Sequence, residues 1–158
     1  MKSTPALGSG LAGAITLTLI HEAMRKINPK APRMDLLGMT ALSKLLKSIG
    51  KNPPARNKLY LWTMAGDILS NSLYYSLTGV GKNKDALLRG SLLGLSAGVG
   101  AVLLPKPLHL NEAYSNRTNQ TKLLTVGLYL VGGLVAAAML RTIHKKEQKA
   151  KKLISFQG

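Results

Sequence analysis

The stretch LYLWTMAGDILSNSLYYSLTGV, residues 59–80, combines the length of a membrane span with a polar centre. At a rise of about 1.5 Å per residue, a helix of this length crosses the ~30 Å hydrocarbon core of a bilayer. Asp67, Ser70 and Asn71 lie near its middle. Because an ionisable group in lipid is costly, Asp67 is expected to face protein or water and to have a partner there.

Three further apolar stretches have a similar length, namely residues 5–24, 86–104 and 122–140. No small-residue cleavage site follows the first of them, which is therefore interpreted as a retained span and not as a signal peptide. The pattern predicts an all-α integral membrane protein, a bundle of about four transmembrane helices forming one domain over residues 1–140. The basic tail, residues 141–158, is either a helix extension or a disordered arm near anionic headgroups.

A shorter helix is predicted over residues 35–50, between the first two spans. Its apolar residues recur with helical periodicity, Lys44 and Lys47 share its polar side, and Gly50 is a fitting stop. Asp35 is expected to be its N-cap. At about 15 residues it is too short and too charged to span easily. We therefore expect an amphipathic helix lying in the membrane interface, or else a helix packed on the protein's own loops.

Glycine is abundant, with 16 residues, and most glycines lie inside the apolar stretches. Small residues repeated every four positions let neighbouring helices approach closely. The turn at residues 82–85 is tight, so the spans 59–80 and 86–104 are expected to be antiparallel neighbours. The glycines expected at helix–helix contacts are Gly10, Gly13, Gly90, Gly94, Gly98, Gly132 and Gly133.

The chain is strongly basic, with 22 Lys and Arg against 6 Asp and Glu, a formal net charge of +16. These residues lie mainly between and after the apolar stretches, which favours anionic lipid headgroups over nucleic acid as the partner. A multi-pass protein of a cytoplasmic-type membrane is expected. Basic residues are nearly balanced between the two ends, so the orientation stays open. The predicted headgroup contacts are Arg25, Lys26, Lys44, Lys47, Arg89, Arg141, Lys145 and Lys146.

Helical spacing groups several polar residues at one depth. Asp67 and Asn71 are four residues apart on one face, and His21 and Glu22 lie only a few residues from the same end of the bundle. Arg25 is placed to pair with Glu22. The predicted intramembrane cluster comprises Asp67, Asn71, Ser70, His21, Glu22 and Tyr74. It is either a proton- or cation-handling site or a structural cluster whose hydrogen bonds are satisfied internally.

Enzyme motifs are missing from the sequence. It contains no Cys and only three His, and it has no HExxH, GxSxG or phosphate-binding loop. No catalytic residue, metal ligand or cofactor is predicted. Three functions remain open. The first is a structural or accessory component that binds lipid and helices, including those of a partner membrane protein or a second copy. The others are a small channel or transporter that uses Asp67, and a lipid-modifying enzyme whose site is assembled without a local motif.

Overall fold

The apolar stretches fold as helices whose bounds differ from the predicted ones by a few residues. The computed structural model describes residues 3–155, which form α-helices, short 3₁₀ turns and loops without any strand in that range. The all-α prediction is confirmed; residues 156–158 of the predicted tail lie outside the described part. The helices are α1 (Ser3–Ile27), α2 (Met34–Ser48), α3 (Arg56–Ser76), α4 (Ala86–Leu103), α5 (Ala113–Asn116) and α6 (Asn119–Ser155).

Helix α2 ends at a glycine but does not begin at the predicted cap. Gly50 adopts a positive φ of 73°, and the N–H of Lys51 donates to the carbonyl of Leu46 at 2.9 Å, which closes the helix end. The N-cap residue is Arg33, and no side chain caps the helix. The prediction for Asp35 is wrong, because its carboxylate lies inside the first turn and accepts hydrogen bonds from the Arg33 side chain.

Helices α1 and α6 pack together at the centre, with α3 against α1 and α4 against α6. Helices α3 and α4 contact each other little, so the prediction that they pack as neighbours is wrong. The glycines of α4 explain the difference, since they face α6. A Cβ on Gly90 would overlap the carbonyl of Gly133, and a Cβ on Gly133 would overlap that of Gly90.

All seven glycines expected at helix–helix contacts lie at such contacts in the structure. Gly10 faces the backbone of Ser72 on α3, and Gly13 faces the carbonyl of Gly132 on α6. Two glycines outside the predicted set differ, because a Cβ added at Gly8 or Gly127 would meet no atom within 4 Å. The small-residue surfaces are therefore used within the chain.

Consecutive long helices alternate in direction. At one end, the N–H of Arg33 donates to the carbonyl of Tyr114 at 2.7 Å, and Thr121 donates to the carbonyl of Lys30 at 2.9 Å. These bonds join the connection after α1 to α5 and to the first turn of α6. At the other end, Gly79 packs against Ala6 at the start of α1. Helix α6 continues through the basic residues, so residues 141–155 are a helix extension.

Many large apolar side chains lie on the outside of the bundle, and small or polar ones occupy much of the inside. Ala14, Ala136 and Thr125 are fully buried, as are the larger Leu17 and Tyr75. Exposed leucine and isoleucine side chains recur every four residues along the outer face of α1, at Leu7, Leu11, Ile15 and Leu19. Two segments of the described chain, Asn83–Leu103 and Asn119–Ala150, are long and apolar enough to cross a membrane.

Candidate functional site

Asp67 lies on the face of α3 that packs against α1, and two neutral side chains bind its carboxylate. The Nδ2 of Asn71 donates to Oδ1 at 2.9 Å, as the four-residue spacing predicts. The hydroxyl of Thr18 on α1 donates to Oδ2 at 3.2 Å. Thr18 was not among the predicted site residues. Its signal in the sequence is its spacing, since it precedes His21 by three residues and so shares its helix face.

His21 lines the same cavity as Asp67 and is almost completely buried. Its side chain is 7% exposed, and its ring meets the ring of Tyr129 edge-on at a centroid distance of 5.5 Å. The Nε2 atom is buried and has no hydrogen-bond partner. An unsatisfied buried polar atom in a native fold calls for an explanation, because most buried polar atoms have a hydrogen-bond partner.

Glu22 binds Arg25 and Tyr60 and does not join the hydrogen bonds around Asp67. Its carboxylate accepts a hydrogen bond from Nε of Arg25 at 2.9 Å and forms an ion pair with that guanidinium, which the three-residue spacing predicts. The hydroxyl of Tyr60 donates to Oε2 of Glu22 at 2.9 Å. Tyr60 links the start of α3 to α1, a role that sequence spacing alone does not reveal.

The two remaining predicted cluster residues, Ser70 and Tyr74, bond to groups other than the Asp67 carboxylate. The hydroxyl of Ser70 donates to the backbone carbonyl of Asp67 at 3.1 Å. Tyr74 turns away from Asp67 and bridges to α4, where its hydroxyl lies 2.7 Å from Oγ of Ser96 and donates to the carbonyl of Leu93 at 3.2 Å. The structure therefore divides the predicted cluster into an Asp67–Asn71 pair, a Glu22 network and the α3–α4 bridge of Tyr74.

A cavity of about 420 Å³, here called the inner cavity, lies between α1, α2 and α3. Thr18, His21 and Asp67 form part of its wall, and α2 contributes Gly38 and Leu42. A second cavity of about 580 Å³ lies between α3 and α4, where the two helices separate, and α2 covers it as well. Asp67 lines both cavities, as do Gly38 and Ser70.

A third cavity of about 420 Å³, here called the basic cavity, opens beside the start of α3. Arg25, Arg33 and Arg56 line it together with Tyr60 and a single acid, Asp35. Arg33 donates to Asp35 through Nε at 2.9 Å and Nη2 at 2.8 Å, and Nη1 of Arg25 lies 3.6 Å from Oδ2 of Asp35. The acid thus holds two of the three guanidinium groups in place.

The titration of Asp35 follows from these contacts. Burial by itself raises the pKa of the Asp35 carboxyl, but the hydrogen bonds and positive charge of Arg33 outweigh burial and leave the pKa below its usual value. The same hydrogen bonds raise the pKa of the Arg33 guanidinium. The pair is therefore ionised throughout the physiological range.

The predicted headgroup residues differ in how they are held. Arg89 donates to the carbonyls of Thr78 and Lys82 at the turn before α4, and Nζ of Lys44 donates to the carbonyl of Leu108 at 2.7 Å. Arg141 and Lys145 line a small depression at the other end of the bundle. Lys26, Lys47 and Lys146 are exposed.

Within residues 3–155, no three His, Asp or Glu side chains lie close enough together to hold a metal ion. Comparison of the chain with protein-family models, with curated proteins and with solved structures found no match. The geometry of its own residues therefore carries the functional interpretation.

Proposed function

We propose that the chain is a small integral membrane protein with four crossing helices, α1, α3, α4 and α6, that acts as a structural or accessory component and binds lipid. The observation that carries this proposal is the distribution of side chains. Many large apolar groups cover the outer faces of these helices, whereas the buried positions include Gly, Ala, Ser and Thr beside a small cluster of larger side chains such as Leu17 and Tyr75. Exposed apolar surface on this scale is unfavourable in water and suits contact with lipid tails.

Helices α1 and α3 fit this proposal despite their lower average hydropathy. The polar groups near the middle of each, Thr18 on α1 and Asp67 and Asn71 on α3, hydrogen-bond to one another and face the protein. The opposite side of α3 exposes apolar residues, among them Leu69 and Leu73. Polar groups satisfied inside a bundle are compatible with a membrane span, because no backbone or side-chain donor is then left in lipid.

The basic cavity supports a preference for anionic headgroups. Each guanidinium has five N–H donors, so Arg25 and Arg33 retain donors after binding their carboxylates. Arg56 is exposed, and its side chain forms no hydrogen bond or ion pair with the described residues. Three guanidinium groups around one carboxylate leave a net positive site for a phosphate group. This site lies at the end of the bundle where α2, the predicted interfacial helix, is placed.

Lipid retention tests this proposal. The purified full chain is expected to keep bound anionic phospholipid in native mass spectrometry and to prefer it to zwitterionic lipid. Arg56→Gln should weaken retention about fivefold, since losing one hydrogen bond to a phosphate held in the cavity costs about 1 kcal/mol. Lys58→Gln, two residues away and outside the cavity, is the matched control. Equal retention of both lipid classes, or equal effects of both variants, would contradict headgroup binding here.

The position of Asp67 favours a second function, a small channel or transporter for protons or cations. Asp67 is an acidic residue near the middle of α3 that lines both the inner cavity and the cavity between α3 and α4. In this case Asp67→Asn would abolish ion or proton flux in proteoliposomes, whereas Asp85→Asn in the turn before α4 would not. Flux that survives Asp67→Asn in a folded protein would exclude Asp67 from the path.

A further inference from the structure

The hydroxyl groups that line the inner cavity already donate within the protein. The hydroxyl of Thr18 donates to the Asp67 carboxylate, that of Thr63 donates to the Leu59 carbonyl at 2.8 Å, and that of Ser70 donates to the Asp67 carbonyl. A ligand that needs donors from these hydroxyl groups would have to break bonds within the protein. These hydroxyl groups therefore do not favour an anion or another hydrogen-bond acceptor.

Acceptors, by contrast, are available in the same cavity. The Asp67 carboxylate receives bonds only from Thr18 and Asn71, both neutral, and in residues 3–155 no Lys or Arg forms an ion pair with it. His21 lines the cavity too, but its Nε2 is buried and exposes no surface to a ligand there. The acceptor that the cavity offers without a basic partner is therefore the charged carboxylate of Asp67.

The other acids of the cavity wall are neutralised from outside it. Glu22 is paired with Arg25, and Asp35 is paired with Arg33. No Lys or Arg is among the cavity-lining residues. Asp67 is thus the unbalanced charge of the inner cavity, in a chain whose overall charge is strongly positive.

The rest of the wall is apolar. Met34 and Leu42 of α2 and Trp62 and Met64 of α3 line the cavity. Gly66 leaves open space in the α3 wall, since a Cβ there would meet nothing within 4 Å. A volume of about 420 Å³ lies within the usual range for small-ligand sites.

We propose that the inner cavity binds a small amphiphilic primary amine. Its ammonium group donates to the Asp67 carboxylate, and its apolar body lies against α2 and Trp62. An ammonium has three donors and no acceptor, which complements a carboxylate without a basic partner in a wall whose hydroxyl donors are used. The proposal goes beyond lipid binding and beyond ion flux, because a site of this kind requires neither.

The single tryptophan of the chain provides the measurement, because Trp62 lines the cavity. The purified full chain in detergent is titrated with n-octylamine, and the fluorescence of Trp62 is recorded. A saturable change is expected. n-Octanol has the same apolar body without the charge and should bind at least tenfold more weakly. Trimethyloctylammonium keeps the charge but has no N–H donor, and it should also bind more weakly than n-octylamine.

A variant assigns the response to the carboxylate. Asp67→Asn should weaken n-octylamine binding by about 10- to 100-fold, the effect of losing a charge-assisted hydrogen bond. Asp85→Asn, the same chemical change outside the cavity, should have no effect.

Three results would overturn the proposal. These are a fluorescence response that does not saturate, equal binding of n-octanol and n-octylamine, and unchanged binding by a folded Asp67→Asn variant. If Asp67→Asn does not fold, the comparison of the three ligands on the wild-type chain still decides. Loss of amine binding would leave lipid retention at the basic cavity unaffected, so the two proposals fail separately.

Discussion

At the scale of single residues, two threonines on α1 differ in their hydrogen-bond partners. Thr18 donates across to Asp67 on α3, whereas Thr16 donates to the carbonyl of Ala12 in its own helix at 2.8 Å. Thr18→Val should lower the free energy of unfolding by about 1–3 kcal/mol, because a half-buried carboxylate loses one of its two donors. Thr16→Val, the matched control, should change it by less than about 0.5 kcal/mol. Thermal unfolding in detergent measures both, and equal shifts would contradict a stabilising role of the Thr18–Asp67 bond.

The Arg33–Asp35 pair predicts how stability depends on pH. The pKa of Asp35 is lower in the folded protein than in the unfolded chain, so its contribution is present above the unfolded value of about 4. That contribution is lost as the pH falls through the lower, folded value. The melting temperature of the wild-type chain should therefore decrease more steeply below about pH 4 than that of Asp35→Asn. Parallel curves for the two proteins would show that the pair adds no stability.

Residue spacing predicted only part of the candidate site. Asp67 and Asn71 meet because both lie on one helix, where a four-residue spacing fixes the contact. The partners of Glu22 and Tyr74 on other helices, Tyr60 and Ser96, depend on how whole helices rotate and cross. Helical periodicity identifies the face of a residue but not the helix that will oppose it.

At the scale of helices, two glycines of α6 differ in whether another helix packs closely against them. Gly133 lies against Gly90 and Gly94 of α4, and Gly127 faces open space. Gly133→Ala should destabilise the protein by about 1–3 kcal/mol, because the added methyl group forces α4 and α6 apart. Gly127→Ala should be neutral or stabilise it by up to about 1 kcal/mol through helix propensity. Resistance to unfolding by sodium dodecyl sulfate measures the difference; similar behaviour of the two variants would rule out tight packing at Gly133.

The sequence predicted which surfaces of the helices are small, but not how these surfaces pair. Gly90, Gly94 and Gly98 form one stripe on α4, and the short turn before it favours packing on α3. The stripe packs on α6 instead, where Gly133 offers a complementary surface close to the backbone. Because α4 turns toward α6, a gap opens between α3 and α4, and the gap forms the larger cavity beside Asp67. The cavity beside Asp67 therefore depends on the packing of α4 against α6.

At the scale of the whole molecule, lipid would add to a small apolar core. The core cluster comprises Leu17, Tyr75, Leu128, Tyr129 and Ala136, whereas the outer faces expose many leucines. Helix α6 has 37 residues, about 55 Å at 1.5 Å per residue, which exceeds the ~30 Å core of a bilayer. Its basic C-terminal part would therefore project beyond the membrane on the side of the α3–α4 turn.

Four crossings predict a definite labelling pattern, and the absence of native Cys makes it measurable. Single cysteines at Thr4, Lys84 and Lys149 should react with a membrane-impermeant maleimide from one side of sealed vesicles, and cysteines at Asn52 and Asn111 from the other. All five positions are exposed, so poor reactivity would reflect the membrane and not the fold. Solubilised protein, in which all five should react, is the positive control, and the unmodified chain is the blank. Labelling of Lys84 and Asn52 from the same side would show that α3 does not cross. For α1, α4 and α6 the corresponding pairs are Thr4 with Asn52, Lys84 with Asn111, and Asn111 with Lys149, so the pattern tests each crossing separately.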